Sequence, residues 1–314
     1  MSDFHSPVLL GEVMQWLQVK PQSLIVDMTL GGGGYSRAIL DELGEEGKLV
    51  AFDRDIEAVE RARELFAGES RLTIHHAPFS QSEGFVVLHS SEGHDGAVFD
   101  LGVSSHQLDT GERGFSFQKD GPLDMRMNSS SDRPTAADLV NTESVEELTR
   151  IFREYGEEKK ARRVALAIER RRMERPFSRT LDLAETIEKV VGRPPRKRQG
   201  PVKHPATRCF QALRIAVNDE LGELRSGLEQ AVRTARVGAR IAVVSYHSLE
   251  DRIVKNYFLD KAGRCHCPRH QPVCTCGAKA EVKLLTRRAV KPTAQEVEEN
   301  RRARSSLLRV VEKL

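Results

Sequence analysis

An aspartate stands on either side of a glycine run near the amino end of the chain. Asp27 lies in the apolar run 24–29, the glycines occupy 31–34, and Asp53 ends the next apolar run. Glycines let the backbone turn tightly and approach a ligand, and an acid after the second strand of such a unit can accept ribose hydroxyl hydrogens. The pattern predicts a nucleoside-binding turn, and a flexible glycine loop is the alternative.

The kind of nucleoside is indicated by the acid that precedes the glycines. Dinucleotide sites typically carry G-x-G-x-x-G directly after the strand, whereas here the order is D-M-T-L-G-G-G-G. Asp27 could face the cationic amino group and sulfonium of S-adenosylmethionine through charge-assisted hydrogen bonds, or it could be a turn or helix cap. The arrangement favours a methyl donor over a nicotinamide cofactor.

A second group of residues could bind a metal. Four of the five cysteines form a C-x-C-x6-C-x-C pattern: Cys265, Cys267, Cys274 and Cys276. Four thiolates in one short segment could hold a tetrahedral structural Zn²⁺, with His266 and His270 as spare ligands, although the spacing is tighter than usual. Free thiols are the alternative, because disulfide frameworks belong to secreted chains. A catalytic metal is not predicted.

The elements that must position these residues follow from the periodicity of the first hundred residues. Apolar runs predict strands and the amphipathic runs between them predict helices: strands at 24–29, 48–53, 72–77 and 96–103, and helices at 35–43 and 56–66. Right-handed crossovers in this β-α-β-α-β order give an α/β fold, a Rossmann-like doubly wound parallel sheet.

The strand pattern stops near residue 105 and only helical periodicity continues to about residue 210. We therefore predict an all-helical domain inserted into the sheet domain: 1–105 and 213–314 for the two parts of the sheet domain, and 106–212 for the insertion. A helix at 219–235 and a strand at 239–248 resume the sheet pattern. The runs 283–290 and 305–313 could form a closing antiparallel pair.

The composition is that of a globular chain without a strong overall charge. Of 314 residues, 39% are hydrophobic and 30% charged, and 49 Lys and Arg against 46 Asp and Glu leave a net charge of +3. This excludes a uniformly basic protein but not a local basic face. The chain has neither an apolar run of membrane length nor the features of a signal peptide, so we expect a cytoplasmic protein.

Several longer motifs resemble one known family. They run from one end of the chain to the other: HSPVLLGEV (5–13), VDMTLGGGGYS (26–36), FDRD (52–55), APFS (77–80), FDLGVSSHQLD (99–109), RGFSF and DGPLDMRM (113–127), KHPATRCFQALRIAVNDEL (203–221), SYHSLEDRIVK (245–255) and RARSSLLR (302–309). Together they resemble the bacterial 16S ribosomal RNA methyltransferase H family, also called MraW. The resemblance implies methyl transfer from S-adenosylmethionine to N4 of a cytidine in the decoding region of 16S rRNA. It also implies a class I methyltransferase domain with an inserted helical domain that holds the substrate.

The resemblance also implies where the methyl donor binds. The matched positions are Gly33, Gly34, Tyr35, Asp53, Phe79, Asp100 and Gln107. Many members have His where this chain has Tyr35, an exchange that leaves the backbone donors in place. Phe79 would cover the adenine, although an aromatic residue after a strand is more commonly core packing.

Asp100 ends the fourth predicted strand and is our candidate catalytic residue, as acceptor of a hydrogen from the cytosine amine. DNA amino-methyltransferases commonly carry Asp-Pro-Pro-Tyr there, whereas this chain has Asp-Leu-Gly-Val, so the base-stacking aromatic must come from elsewhere. Phe115, Phe117 and Tyr246 are the candidates. His247 lies at the polar end of the predicted strand at 239–248. It could contact RNA or accept a proton, or it could be a hydrogen-bonded structural histidine.

The expected partner is 16S rRNA or the small ribosomal subunit, with no membrane and no obligate protein partner. The basic segment 193–214 contains no acid, so it is either a solvated loop or a phosphate contact. Candidate phosphate-binding residues are Lys203, His204, Arg208, Arg126 and the cluster 196–198. A second basic group reads better as a solvated helix face: Lys159, Lys160, Arg162, Arg163 and Arg170 to Arg172. A nicotinamide-dependent oxidoreductase and a non-enzymatic RNA-binding assembly protein are the competing hypotheses.

Overall fold

The chain forms two compact units in the computed structural model, which describes residues 7–193, 204–268, 271 and 275–314. The sheet unit consists of Met1–Gly102 and Leu221–Leu314, and the inserted unit of Val103–Glu220. Within the described ranges, no helix has both the length and the apolar character needed to cross a bilayer.

The sheet unit contains seven strands. They are β1 Leu24–Asp27, β2 Lys48–Asp53, β3 Leu72–His76, β4 His94–Asp100, β5 Ala235–Ser245, β6 Val282–Leu284 and β7 Leu307–Lys313. Their order across the sheet is β3-β2-β1-β4-β5-β7-β6. The pairs from β3 to β5 are parallel, whereas β7 is antiparallel to both β5 and β6. The predicted doubly wound α/β fold is confirmed.

The helices alternate with the strands in the sheet unit and follow one another in the inserted unit. In chain order they are α1 Leu10–Leu17, α2 Gly34–Glu42, α3 Ile56–Leu65, α4 Ser82–His89, α5 Ser105–Asp109, α6 Ala136–Thr142, α7 Val145–Glu154, α8 Ala161–Glu174, α9 Thr180–Val191, α10 Thr207–Asn218, α11 Glu220–Arg233, α12 Ser248–Lys261 and α13 Ala294–Glu299.

The sheet is buried on both faces, which explains why its strands are continuously apolar. Side chains of successive strand residues point to opposite faces, so Ile25 and Val26 of β1 belong to different core clusters. Phe52 and Phe99 pack with residues of α11 and α12 on one face. On the other face, residues of α1, α2 and α3 cover Val98 and its neighbours.

The inserted unit has its own apolar core, drawn mainly from α7, α8, α9 and α10. Buried polar side chains link its segments. The Asn218 amide donates to the Met125 carbonyl (2.7 Å) and accepts from the Met127 amide N–H (2.8 Å). The Arg172 guanidinium donates to the carbonyls of Val140 (2.9 Å) and Glu143 (2.8 Å) at the end of α6. Arg172 is thus a structural residue, which leaves less of α8 for a solvated basic face.

Several predicted boundaries differ from the structure; the strand predicted at 24–29 ends at Asp27, and the one predicted at 239–248 is β5 at Ala235–Ser245, so His247 lies outside it. The fourth strand ends at Asp100 rather than at residue 103, because the backbone turns at Gly102, where φ is +100°. Only parts of the predicted strand at 283–290 pair with β7, namely β6 and an isolated bridge at Val290. Between them the N–H groups of Leu285 and Thr286 both donate to the Val310 carbonyl, which interrupts the regular pairing. The predicted domain boundary at residue 212 lies inside α10, whose apolar face is buried in the inserted unit.

Candidate active site

Three carboxylates stand at the carboxyl ends of neighbouring strands. Asp27 ends β1, Asp53 ends β2 and Asp100 ends β4, and β1 lies between the other two strands. In a doubly wound sheet this edge is where ligands bind, beside the point at which the strand order reverses. The three acids therefore belong to one candidate site.

The glycine turn connects β1 to α2 and lies beside the end of β2. The Leu30 amide donates to the Phe52 carbonyl (2.8 Å), which holds the turn against the neighbouring strand. Gly33 caps α2 with a φ of +78°, and a Cβ there would lie 2.7 Å from the Phe66 ring. A Cβ on Gly34 would collide with the Pro7 ring. These two glycines are therefore needed for packing inside the protein.

The preceding pair of glycines has the open surroundings expected of a ligand cradle. A Cβ built on Gly32 meets no atom within 4 Å, and one on Gly31 comes no closer than 3.8 Å to the Thr29 carbonyl. Sequence reasoning selected Gly33 and Gly34 as donor contacts and passed over these positions. No pattern in the sequence distinguishes the packed glycines from the open ones, because the difference arises from Phe66 and Pro7, which are distant along the chain.

Asp53 is held in place by backbone donors. Its carboxylate accepts from the Gly31 N–H (2.8 Å) and from the Asp55 N–H (2.8 Å), one on each oxygen. The side chain is half-buried, and each oxygen retains a second lone pair for a ligand. The glycine turn and the acid that were selected separately from the sequence are thus directly connected.

Asp27 is fully buried and fits the cap alternative. Its carboxylate accepts from the Thr29 N–H (3.0 Å) and from the Ser36 hydroxyl (2.6 Å) in the first turn of α2. It thereby fixes the glycine turn at both ends. A contact from Asp27 to a cationic ligand stays a prediction, and Ser36 was not anticipated.

Asp100 is paired with a tyrosine from the end of β5. The Tyr246 hydroxyl donates to Asp100 Oδ1 (2.6 Å), and the Asp100 N–H donates to the Thr29 hydroxyl (2.6 Å). Tyr246 was a candidate for base stacking, but its hydroxyl is committed to the carboxylate. Neither the pairing nor the role of Thr29 could be derived from the sequence, because each joins residues from separate strands.

Burial gives these acids unusual titration behaviour. It raises the pKa of Asp27 and of Asp53 from 3.8 to about 6, and that of Asp100 to about 7. Hydrogen bonds from Ser36 and Tyr246 partly oppose the rise, whereas the acids repel one another and raise the pKa values further. The charge of Arg54 lowers the pKa of Asp53, whereas no positive charge among the described residues has this effect on Asp27 or Asp100. A bound cation would favour their charged forms.

Tyr35 and Phe79 point into the protein. Tyr35 is 3% exposed and its hydroxyl donates to the Val8 carbonyl, so only its backbone can serve the predicted donor contact. Phe79 is half-buried, packs edge-to-face on Phe99 with centroids 5.5 Å apart, and abuts Gly227, where a Cβ would collide with its ring. The packing alternative for Phe79 therefore has direct support, and adenine contact stays a prediction.

The remaining histidine candidate acts as a helix cap. His247 precedes α12, and its Nδ1 accepts from the Glu250 N–H (3.4 Å) in a capping box. Its Nε2 lies 3.1 Å from Glu250 Oε1. Both ring nitrogens thus face Glu250, which agrees with the structural alternative.

The inserted unit contains the other candidates for substrate binding. Gln107 is buried and completes the capping box of α5, since its side-chain oxygen accepts from the Ser104 N–H (3.0 Å). Phe115 is buried in the core, and the Phe117 ring lies between those of His204 (4.6 Å) and Phe210 (4.8 Å). Donor contact by Gln107 and base stacking by either phenylalanine stay predictions.

The predicted phosphate-binding residues separate into engaged and exposed groups. Arg126 makes paired hydrogen bonds to Asp124 (2.9 and 2.8 Å) and a third to the Ser131 carbonyl. His204 lies 3.4 Å from Glu188, whereas Arg208 is exposed. On and beside α8 the exposed cations are Lys159, Arg162, Arg163 and Arg170, while Lys160, Arg171 and Arg172 donate to other segments of the unit. Lys203 and 196–198 lie outside the described residues.

A doubly wound sheet with a glycine turn after β1 and an acid after β2 is typical of nucleoside-binding α/β enzymes. Comparison with known proteins makes this more specific. Residues 2–314 match the MraW methylase family. The chain therefore belongs to the MraW methylase family, which confirms the resemblance found in the sequence and excludes the nicotinamide-dependent alternative.

Close relatives extend over the whole chain. A protein of Geobacter sulfurreducens is 49% identical over 316 residues, covering 100% of both chains. One from Caldicellulosiruptor saccharolyticus is 46% identical over 310 residues (99% of each chain), and one from Caulobacter vibrioides is 50% identical over 306 residues (97% of this chain, 94% of the relative). All three are named "Ribosomal RNA small subunit methyltransferase H".

Proposed function

We propose that this protein transfers a methyl group from S-adenosylmethionine to N4 of a cytidine in the decoding region of 16S rRNA. The observation that carries the proposal is the match to the methylase family over residues 2–314, together with relatives of the same length named for the small ribosomal subunit. An enzyme with that substrate would work in the cytoplasm, where the subunit is assembled. The choice of cytidine N4 derives from the motif resemblance.

The open glycine backbone and the three acids of the candidate site suit a cationic nucleoside. The open backbone at Gly31 and Gly32 leaves room for a ligand at the sheet edge. Asp27, Asp53 and Asp100 carry raised pKa values that a nearby cation would lower. When bound, S-adenosylmethionine supplies a methyl group attached to a positively charged sulfur. These features support its assignment as the cofactor, and a simple dinucleotide would place negative phosphates beside the same acids.

Asp53 is the residue best arranged to bind the ribose. The N–H groups of Gly31 and Asp55 fix its carboxylate, so its remaining lone pairs have defined directions. Hydrogen bonds from hydroxyls to a charged carboxylate each contribute about 1.5–3 kcal/mol. Gly33 and Gly34 hold the turn in position, and Phe79 would contribute a ring edge to the adenine.

Asp100 is the candidate catalytic residue. The amine of cytosine is a weak nucleophile because its lone pair is conjugated with the ring, so a group that accepts one of its hydrogens assists attack. Tyr246 holds Asp100 Oδ1, which leaves Oδ2 to accept from the amine. As the N–C bond forms and the C–S bond breaks, the electron pair stays on sulfur. The nitrogen then releases one proton, to Asp100 or to water.

The rRNA would contact the inserted unit. Its exposed cations, Arg162, Arg163 and Arg170 on α8 and Arg208 on α10, can neutralise phosphates. Such contacts would offset the few kcal/mol needed to take a base out of its stack. Arg126 is a weaker candidate because its guanidinium already serves Asp124 and Ser131.

Transfer of tritium from labelled S-adenosylmethionine into rRNA tests the proposal. Purified protein is incubated with naked 16S rRNA and with 30S subunits lacking the modification, and the labelled nucleoside is identified by mass spectrometry. We expect N4-methylcytidine in at least one substrate. Asp53→Ala should abolish most of the incorporation, whereas Asp41→Asn, a change on the exposed side of α2, should preserve it.

Each outcome bears on a different part of the proposal. No label in either substrate would contradict rRNA methylation and would revive a non-enzymatic role in assembly. Label in a nucleoside other than N4-methylcytidine would keep the methyltransferase and overturn the target atom. Full incorporation by Asp53→Ala would remove that residue from the donor site.

A further inference from the structure

The segment between α12 and β6 brings three cysteine sulfurs together. The Sγ atoms of Cys265, Cys267 and Cys276 all lie within 4.8 Å of one another. The Sγ atoms of Cys265 and Cys276 are 3.8 Å apart, far longer than the S–S bond of about 2.05 Å in a disulfide. No disulfide joins any of the three to another described residue. The spacing is thus too long for a covalent bond, and a hydrogen bond from the Cys276 thiol to Cys265 Sγ holds the two sulfurs side by side.

The separation fits a shared metal ion. In a tetrahedral site with zinc–sulfur bonds of about 2.3 Å, neighbouring sulfurs lie about 3.8 Å apart. The distance from Cys265 to Cys276 equals this value. The sulfurs come from both C-x-C pairs of the sequence pattern, so the chain has folded back to bring the two pairs together.

Backbone donors point at the sulfurs. The Cys267 N–H donates to Cys265 Sγ (3.4 Å), and the Thr275 N–H donates to Cys267 Sγ (3.3 Å). A neutral thiol is a weak acceptor, whereas thiolates bound to metals commonly receive such hydrogen bonds, which stabilise their charge. This observation is independent of the distances between the sulfurs and also indicates thiolate ligands.

The loop that carries the cysteines is closed at its base. Ala262 and Ala280 form an antiparallel bridge, and the Glu281 N–H donates to the Lys261 carbonyl (2.7 Å). A metal held near the tip would close the loop a second time. His266 Nε2 lies 3.1 Å from Asp260 Oδ1 on α12, so its ring faces that helix, and its use as a spare ligand stays a prediction.

We propose that Cys265, Cys267 and Cys276 bind one structural Zn²⁺ ion. Thiolate ligands suit a soft divalent cation and are typical of structural zinc sites. The described residues supply three of the four ligands of a tetrahedral site, and Cys274 and His270, which the sequence analysis also named, lie outside the described residues. Binding deprotonates the thiols and releases their protons to solvent, so the ion is lost at low pH.

The test is the metal content of the full-length protein, purified without chelator and measured by mass spectrometry. We expect about one zinc ion per chain in the wild type and at most a small fraction in Cys265→Ser and in Cys276→Ser. Cys209→Ala is the matched control, because Cys209 is buried in α10 of the inserted unit and its loss should leave the zinc in place.

A second measurement keeps the proposal testable if a variant misfolds. Wild-type protein stripped of metal and reloaded with Co²⁺ should show the strong visible bands of a tetrahedral cobalt–thiolate centre. Metal well below one equivalent in the wild type, or a Cys265–Cys276 disulfide found by peptide mapping, would overturn the proposal. So would zinc that persists unchanged when both Cys265 and Cys276 are serine. None of these results depends on methyl transfer.

Discussion

The acidic side chains of the inserted unit and the three at the carboxyl edge of the sheet have different partners. In the inserted unit, Arg150 forms ion pairs with Glu147 (2.5 Å) and Glu154 (2.9 Å), and Arg179 pairs with Asp120 (2.7 Å). These cations lower the pKa of Glu147 and of Asp120. These acids are therefore charged: Glu147 and Glu154 pair within α7, and Asp120 joins two segments that are distant along the chain.

At the edge of the sheet Asp27 is fully buried and Asp53 and Asp100 are half-buried, and the one cation that lowers the pKa of any of them is Arg54, which acts on Asp53. Asp27, Asp53 and Asp100 receive only N–H and O–H donors from the protein, and burial raises the pKa of each. Leaving a buried charge uncompensated costs stability, so such an arrangement persists where a ligand supplies the missing charge. Ion pairs thus hold acids such as Asp120 and Asp251 in the structure, whereas the carboxylates of the candidate site are held by N–H and O–H donors.

Replacement of Asp100 by Asn should have the largest effect. If its carboxylate accepts a hydrogen from the attacking amine, Asp100→Asn should lower kcat by about 10²–10⁴-fold, the usual contribution of such a group. Single-turnover transfer of tritium into rRNA at saturating donor measures this directly. Asp41→Asn is the control, since it makes the same change on an exposed part of the same unit. A decrease in kcat of less than a few fold would mean that Asp100 has no role in the chemistry. The contrast between the two sets of acids would then not identify functional residues.

Tyr246→Phe sharpens the same prediction. The Tyr246 hydroxyl is what lowers the pKa of Asp100, so its removal should raise that pKa further and move the acid limb of the pH–rate profile to higher pH. A merely structural role would lower the rate at every pH without moving the limb. A profile that keeps its midpoint would show that the hydrogen bond does not tune Asp100.

Asp53→Asn should weaken donor binding rather than catalysis. The amide keeps the shape but loses the negative charge, and the loss of charged hydrogen bonds predicts a Kd for S-adenosylmethionine about 10- to 100-fold higher. Calorimetry gives the Kd, and kcat at saturating donor should fall much less. Equal losses in Asp53→Asn and in Asp41→Asn would indicate a general effect of charge instead of a contact.

The sequence was informative where function depends on local order. Asp27, the glycine turn and Asp53 follow one another at strand ends, and the parallel pattern alone brings them to one edge of the sheet. The doubly wound fold follows from the same periodicity, whereas the spatial order of the strands is known only from the structure. The predicted division into two units likewise depended on where strand-like runs stop.

The sequence was silent where a site depends on contacts between distant segments. Tyr246 meets Asp100 only because β5 lies next to β4, and Phe66 decides which glycines are free to approach a ligand. The helix α10 was not predicted, because it begins in a proline-rich basic segment. Its apolar face is buried only by packing against the rest of the inserted unit. In each case the feature depends on contacts between residues that are distant along the chain, and a local sequence pattern does not reveal such contacts.

The raised pKa values predict a pH dependence of donor binding. Between about pH 5 and pH 7 the free protein holds protons on these acids, and a bound cation must displace some of them. Affinity for S-adenosylmethionine should therefore increase by roughly tenfold from pH 6 to pH 8 and then level off. Calorimetry in two buffers of different ionisation enthalpy measures the protons released. A flat profile would mean that no titrating acid senses the ligand.

The same groups predict the pH dependence of stability. Their folded pKa values lie above the unfolded value of 3.8, so their contribution to stability is complete below about pH 4 and is lost as the pH rises through 6 to 7. A bound cation restores that loss. The increase in Tm caused by S-adenosylmethionine should accordingly be larger at pH 8 than at pH 6, and Asp100→Asn should reduce the difference.

Arg126→Ala tests the other side of the comparison and should have the smallest effect. Its paired hydrogen bonds to Asp124 and its contact with Ser131 are partly buried, so removal should cost about 1–2 kcal/mol of unfolding free energy. Donor affinity and the salt dependence of rRNA binding should stay unchanged.

Arg162→Ala on the exposed face of α8 is the contrast, because loss of a phosphate contact should weaken rRNA binding and reduce its salt dependence without altering stability. If Arg126→Ala instead reduces the salt dependence, its pair with Asp124 opens to admit phosphate, and ion pairing in the inserted unit would no longer distinguish structural from functional residues.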